Sequence, residues 1–209
     1  MKSHLIPPVL MVLLLGFDTV FSMDDHVIDA LPCSNPACNR VAERIEYKYV
    51  KPVSSVTLKT GHFSIEIPDK PIAKIVSSKE DLMILYRDDQ LLYISETSGP
   101  KIANLEPDLA YQYPEIVFLK TTKDTVPEAD KAKLFWKTAL ASKQFYFQGA
   151  SEVFYSENRD LTYYLSNTHE LGFSARAMVS SSRYKHLFLI IEAKQVGFDT
   201  FKQIVSSVN

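Results

Sequence analysis

The sequence predicts an α+β protein: a single domain with a mainly antiparallel sheet and helices packed on one side. Three observations point there. Short segments of strand length recur between residues 53 and 96 and again between 152 and 193. A stretch with helical spacing separates these two groups, and a second amphipathic stretch closes the chain. Polar turns, rather than long crossovers, join most neighbouring strands.

Taken in order, Val53 to Leu58 reads as a strand and Thr60-Gly61 as a turn. Phe63, Ile65 and Ile67 alternate with Ser64 and Glu66, a half-buried strand stopped by Pro68. Ile72 to Val76, Leu82 to Arg87 and Leu91 to Glu96 follow, with Asp88-Asp89-Gln90 as a hairpin turn between the last two. Pro107 to Thr121 carries a helical or mixed apolar pattern interrupted by Pro114. Thr125-Val126-Pro127-Glu128 fits a helix start, because Thr125 can cap, Glu128 sits three residues on, and Pro127 suits a first turn. Ala132, Phe135, Trp136, Ala139 and Leu140 then fall on one helical face, with Trp136 as a core anchor. Glu152 to Tyr155 and Leu161 to Leu165 flank a polar hairpin loop, as do Leu171 to Val179 and His186 to Ala193. Phe198, Phe201, Ile204, Val205 and Val208 share a face of the last helix, which should dock on the sheet.

Ahead of the domain, Met1-Lys2-Ser3-His4 supplies a basic start and Val9 to Phe17 an uncharged, mostly apolar run. Val20 and Ser22 suit the positions three and one before a cut, the pattern of a secretory signal peptide cleaved after Ser22. A membrane anchor needs roughly 20 apolar residues; this run is shorter and Pro7-Pro8 interrupts it. No Cys stands near its end, which disfavours a lipid anchor. The expected organisation is a leader over 1–22, a disulfide-bearing N-terminal extension over 23–52, with a short helix from Asn39 to Tyr47, and the α+β domain over 53–209. The expected product is periplasmic or secreted, with no membrane span after cleavage.

Cys33 and Cys38 form a C-x4-C pair. In an oxidising space, two thiols this close are expected to close a small disulfide loop. The loop is short, so its gain is about 2 kcal/mol. A thioredoxin-type site needs C-x-x-C, and a structural zinc site needs further ligands at regular spacing; the sequence offers neither.

The formal net charge is −2, and no Lys/Arg cluster occurs. Nucleic-acid binding is driven by phosphate neutralisation, so a nucleic-acid partner is not expected. There is no Gly-x-Ser-x-Gly elbow, His-Glu-x-x-His or EF-hand pattern, so no catalytic residue, metal or cofactor is assigned. His26, His62, His169 and His186 read as surface or strand residues. Asp24-Asp25-His26 would chelate Cu(II) or Ni(II) only if Asp24 became the first residue, and a solvated polar tail is the preferred reading. Glu80-Asp81, Asp88-Asp89 and Glu157/Asp160 sit in turns, where solvated acid is the default. The aromatic group Phe147, Tyr155, Tyr163 and Tyr164 is the candidate binding surface. Tyr163 and Tyr164 are adjacent, so in a half-covered sheet one of them faces outward.

His62-Phe63-Ser64-Ile65-Glu66-Ile67-Pro68 and the ending Phe198-Asp199-Thr200-Phe201-Lys202-Gln203-Ile204-Val205-Ser206-Ser207-Val208 resemble the opening strand and final helix of PsbP/Mog-like exported domains. The resemblance implies a single α+β sandwich with a binding or assembly role, and it carries no catalytic residue over. The functional expectation is an exported, non-enzymatic domain that binds another protein, for instance a periplasmic immunity protein neutralising a toxin. The alternatives are an accessory subunit of an envelope complex and a hydrolase whose site assembles only in space.

Overall fold

The structure, a computed structural model, describes residues 36–46, 54–99, 107–122, 124–168 and 172–209. The leader, Cys33, His26 and His169 lie outside the described residues. Eight strands form one sheet among the described residues, in the order β1-β7-β8-β9-β10-β6-β5-β4, and β2 pairs with β3 as a separate hairpin. These are β1 (Glu43–Arg44), β2 (Ser55–Thr60), β3 (Phe63–Pro68), β4 (Ile72–Ser77), β5 (Asp81–Tyr86), β6 (Leu91–Thr97), β7 (Ala150–Asn158), β8 (Leu161–Thr168), β9 (Ala175–Ser181) and β10 (Phe188–Lys194). Every pairing is antiparallel except β1 with β7. The two main helices are α1 (Asp130–Phe147) and α2 (Phe198–Ser206). The α+β class and the mainly antiparallel sheet are as predicted.

The layering is fuller than predicted, because helices pack on both faces rather than one. α2 and β3 build the first core, where Phe201, Ile204 and Val205 meet Phe63, Ile65, Ile84, Leu92, Leu189 and Ile191. On the opposite face, α1 and the helical run before it build the second, where Ala139, Tyr146, Phe147, Val117 and Phe118 meet Val153, Tyr164, Met178 and Phe188. A strand between two covered faces buries every residue, and β9 does so along its whole length. Each fully buried Phe, Ile or Val side chain contributes roughly 1.5–3 kcal/mol, so α2 is held mainly by the three it inserts.

Three local expectations change. The segment 39–46, expected as a helix, is instead a 3-10 turn (Pro36–Asn39) leading into the short strand β1. Arg40 drives this by donating to the carbonyls of Ala150 (2.6 Å) and Ser151 (3.1 Å), which ties the segment to β7. β1 therefore adds Glu43 and Arg44 of this segment to the edge of the sheet. Pro114 does not interrupt the middle segment: it sits in the first turn of a short α-turn (Tyr113–Glu115), where its missing N–H costs nothing. That turn joins a 3-10 helix (Pro107–Gln112) to a π-helical turn (Ile116–Lys120) closed by Thr121 N–H donating to Ile116 O. Finally, α1 begins at Asp130, later than the Thr125 cap implied. Thr125 Oγ1 accepts from Thr122 N–H at 2.9 Å, folding a loop that α1 then fastens through Trp136 Nε1 donating to Thr122 O at 3.0 Å. Trp136 is thus half-buried and tethered rather than a core anchor.

The two segments quoted for the resemblance meet in space. Ser64 and Asn209 exchange both backbone hydrogen bonds at 3.0 Å, and Ser207 Oγ accepts from Glu66 N–H at 2.8 Å. The amphipathic spacing of α2 and the alternation of β3 bring their apolar faces together, and the chain end then zips onto β3.

Candidate functional site

The four aromatic residues expected to form a binding surface do not share one. Tyr163 is buried in the first core, and Phe147 and Tyr164 are buried in the second. The expectation that one of two adjacent tyrosines faces outward fails because both sheet faces are covered at β8. Tyr155 alone is partly exposed, stacked on Tyr164 at 6.1 Å. Cys38 is buried in the first described turn.

The sheet carries instead a row of polar side chains that the sequence reading missed. Tyr93, Glu192, Arg176 and Ser166 are direct cross-strand partners on β6, β10, β9 and β8, so all four lie on the second-core face. Arg176 and Glu192 are buried, with Arg176 Nε 3.4 Å from Glu192 Oε1. The guanidinium lies 3.8 Å from the Phe145 ring centroid and 5.2 Å from that of Phe173, and Nη1 donates to Phe145 O at 2.7 Å. Burial pushes the Glu192 carboxyl up to about 7, and the Arg176 charge opposes it. Beside them, Tyr93 donates to Asp81 Oδ1 at 2.7 Å.

Lys143 of α1 is the other buried charge. Its Nζ donates to Thr121 O at 2.6 Å and lies 4.8 Å from the Phe147 ring centroid. Burial lowers its pKa to about 8. The π-helical turn directs that carbonyl inward, so Lys143 satisfies an acceptor the irregular turn leaves without a helical donor. Its contacts are to a backbone carbonyl and an aromatic ring of the fold itself. A shallow recess with room for no more than about one water lies elsewhere, between α2 and β7–β8, and neither a histidine nor a carboxylate is among its lining residues.

At the sheet end nearest the β2–β3 turn, Glu96 gathers three donors. Oε1 accepts from His62 N–H at 2.8 Å and from Phe63 N–H at 3.4 Å, and Oε2 lies 3.1 Å from His62 Nδ1. His186, from the β9–β10 loop, places its ring centroid 5.4 Å from that of His62, and Tyr184 is at 5.2 Å. Among the described residues, no three or more His, Cys, Asp or Glu side chains converge as metal ligands.

β4 is the last strand in the order, and its residues are exposed except for half-buried Val76. Ile72 and Ile75 are 38% and 54% exposed. Val76, Met83 and Tyr93 are cross-strand partners, so they extend the Glu192 row outward to the edge. Neither α1 nor α2 packs substantially on β4. Among the described residues, no helix is long and apolar enough to cross a membrane. No family model, curated protein or solved structure matches the chain.

Proposed function

We propose that the protein is an exported, non-enzymatic domain that binds another protein, and that β4 is where it binds. The observation that carries this reading is the β4 edge: an outermost strand with Ile72 and Ile75 exposed. Unpaired edge N–H and C=O groups form a template for an added strand. Lys74, on the same strand, selects for a partner segment that interleaves apolar residues with a carboxylate. The buried charges supply no competing enzymatic reading, because Arg176, Glu192 and Lys143 are enclosed by packing partners. Export rests on the leader and on the expected pairing of Cys33 with Cys38. An incoming toxin and a subunit of an envelope complex are the two partner classes, and the identity of the captured protein separates them.

The test is affinity capture from envelope extract with the protein carrying a photo-crosslinker at position 75, run beside an Ile72→Lys/Ile75→Lys variant. The expected result is one stoichiometric partner, crosslinked at 75 and lost at least tenfold in the variant, with thermal unfolding unchanged. A partner retained equally by the variant overturns the site. Turnover of a generic ester or peptide substrate by purified protein overturns the non-enzymatic reading.

A further inference from the structure

We propose that His62 and His186 form an exchangeable binding site for a divalent transition ion of the zinc and copper type. The two rings come from turns far apart in sequence, β2–β3 and β9–β10, and both are exposed. Their centroids are 5.4 Å apart with the planes at 80°. An ion bound at a typical metal–nitrogen distance lies about 3.2 Å from each ring centre, so this spacing corresponds to a ligand angle of about 115°, close to tetrahedral.

A second observation concerns the carboxylate behind His62. Glu96 Oε2 stands 3.1 Å from Nδ1, while Oε1 is fixed by the backbone N–H groups of His62 and Phe63. A carboxylate on one ring nitrogen sets the tautomer and aims the other nitrogen outward, the arrangement that orients metal-binding histidines. Glu96 is itself only 11% exposed, so it is held in place before any ion arrives. Gly61 makes the close approach possible: a Cβ there would fall 2.6 Å from Glu96 Oε2. The nearby Arg183 is drawn toward Asp160 at 3.3 Å, which offsets its charge at this end of the loop. Two protein ligands leave the remaining positions to water, so the ion exchanges readily. Nitrogen donors favour Cu2+ over Zn2+, and both over Mg2+ or Ca2+.

The experiment is titration of the full chain with Zn2+ alone, and separately with Cu2+, by calorimetry and by amide NMR at neutral pH. The expected result is saturable binding with resonance changes, or Cu2+ broadening, at residues 61–63 and 184–187. His62→Gln and His186→Gln should each weaken that response at least tenfold, and Glu96→Gln should weaken it about tenfold. Binding should also fall in acid, because ligation needs neutral imidazoles. A response that is unsaturable in the wild type overturns the proposal. So does one that survives both histidine variants, which would place the ion at His4, His26 or His169. The partner-binding reading is independent, because the β4 variant should bind the ion normally.

Discussion

Replacing Arg176 with Met tests the central polar row most directly. The substitution removes the guanidinium between Phe145 and Phe173 and leaves Glu192 buried without its counter-charge. Breaking a buried pair from one side costs about 3–5 kcal/mol. The pH dependence is the sharper quantity. In the wild type, the folded-state pKa of Glu192 is about 7, raised by burial against the opposing pull of Arg176. Above that pH the carboxyl is ionised in both the folded and unfolded protein, and it gives stability no pH slope. Without Arg176 the folded-state pKa rises further, so Glu192 stays protonated when folded and ionised when unfolded. The folded state then binds one more proton, and stability falls as pH rises, by about 1.4 kcal/mol per pH unit. From pH 7 to 9, the deficit of Arg176→Met should therefore grow by up to about 2 kcal/mol, since wild-type Glu192 is itself only half ionised at pH 7. Below pH 7 it should be nearly constant, since Glu192 is protonated in both folded proteins.

Urea unfolding of wild type and variant at pH 6, 7, 8 and 9 measures this, with Arg176→Met/Glu192→Gln as the control. The double variant should lose the slope, because its amide cannot ionise. An equal deficit at pH 6 and pH 9, or the same slope in the double variant, would show that Glu192 is not the group that Arg176 holds charged.

Two further stability predictions accompany the binding and metal tests. Gly61 has φ +56°, and a Cβ there meets the Glu96 carboxylate at 2.6–2.9 Å, so Gly61→Ala should cost about 2 kcal/mol in thermal or chemical unfolding. Lys143 has a folded-state pKa lowered to about 8 by burial, so the unfolded protein binds more protons between there and the ordinary lysine range. Wild-type stability relative to Lys143→Met should therefore increase as pH is raised through that window, measured by urea unfolding at pH 7.5 and 10; an unchanged difference would contradict the burial of its charge.

Much of the fold was legible because its strands obey the period of two. β3 buries Phe63, Ile65 and Ile67 and leaves Ser64 and Glu66 half-exposed, as its alternation requires. Where both faces are covered, periodicity stops informing. β8 and β9 read as strands, but nothing in Tyr163-Tyr164 reveals that each ring has its own core. The helix start was misplaced for a different reason: the Thr125-x-x-Glu128 spacing matches a capping box, but Thr125 spends its hydroxyl on the loop that receives Trp136. One signal for the polar row was present. Arg176 and Glu192 are the only charged residues of β9 and of the interior of β10, on strands joined as a hairpin. A lone charge in each of two apolar paired strands predicts a buried cross-strand pair once the register is known. The His62–His186 approach left no comparable trace, because it depends on two turns from different hairpins arriving at one end of the molecule.

The distribution of cover across the sheet links these features to function. β7, β8 and β9 lie between two packed layers, and there the ionisable side chains are turned to structural use: Arg176 against Phe145, and Lys143 against the π-helical turn. β4 extends beyond both helices, and Ile72 and Ile75 remain exposed there. A chain that buries Arg and Glu in its interior while leaving Ile75 in water has placed its uncompensated apolar surface at an edge rather than in a cleft. An edge suits a flat polypeptide partner better than a small substrate, which needs enclosure on several sides. The register sets the separation between edge and centre. Val76, Met83 and Tyr93 run from that edge directly to Glu192. A strand added to β4 would pair beyond Val76, three strands out from Glu192, which is already 1% exposed. Capture at the edge therefore leaves the solvation of the buried pair unchanged, and the edge can take a partner without drawing on the charges that hold the centre of the sheet together.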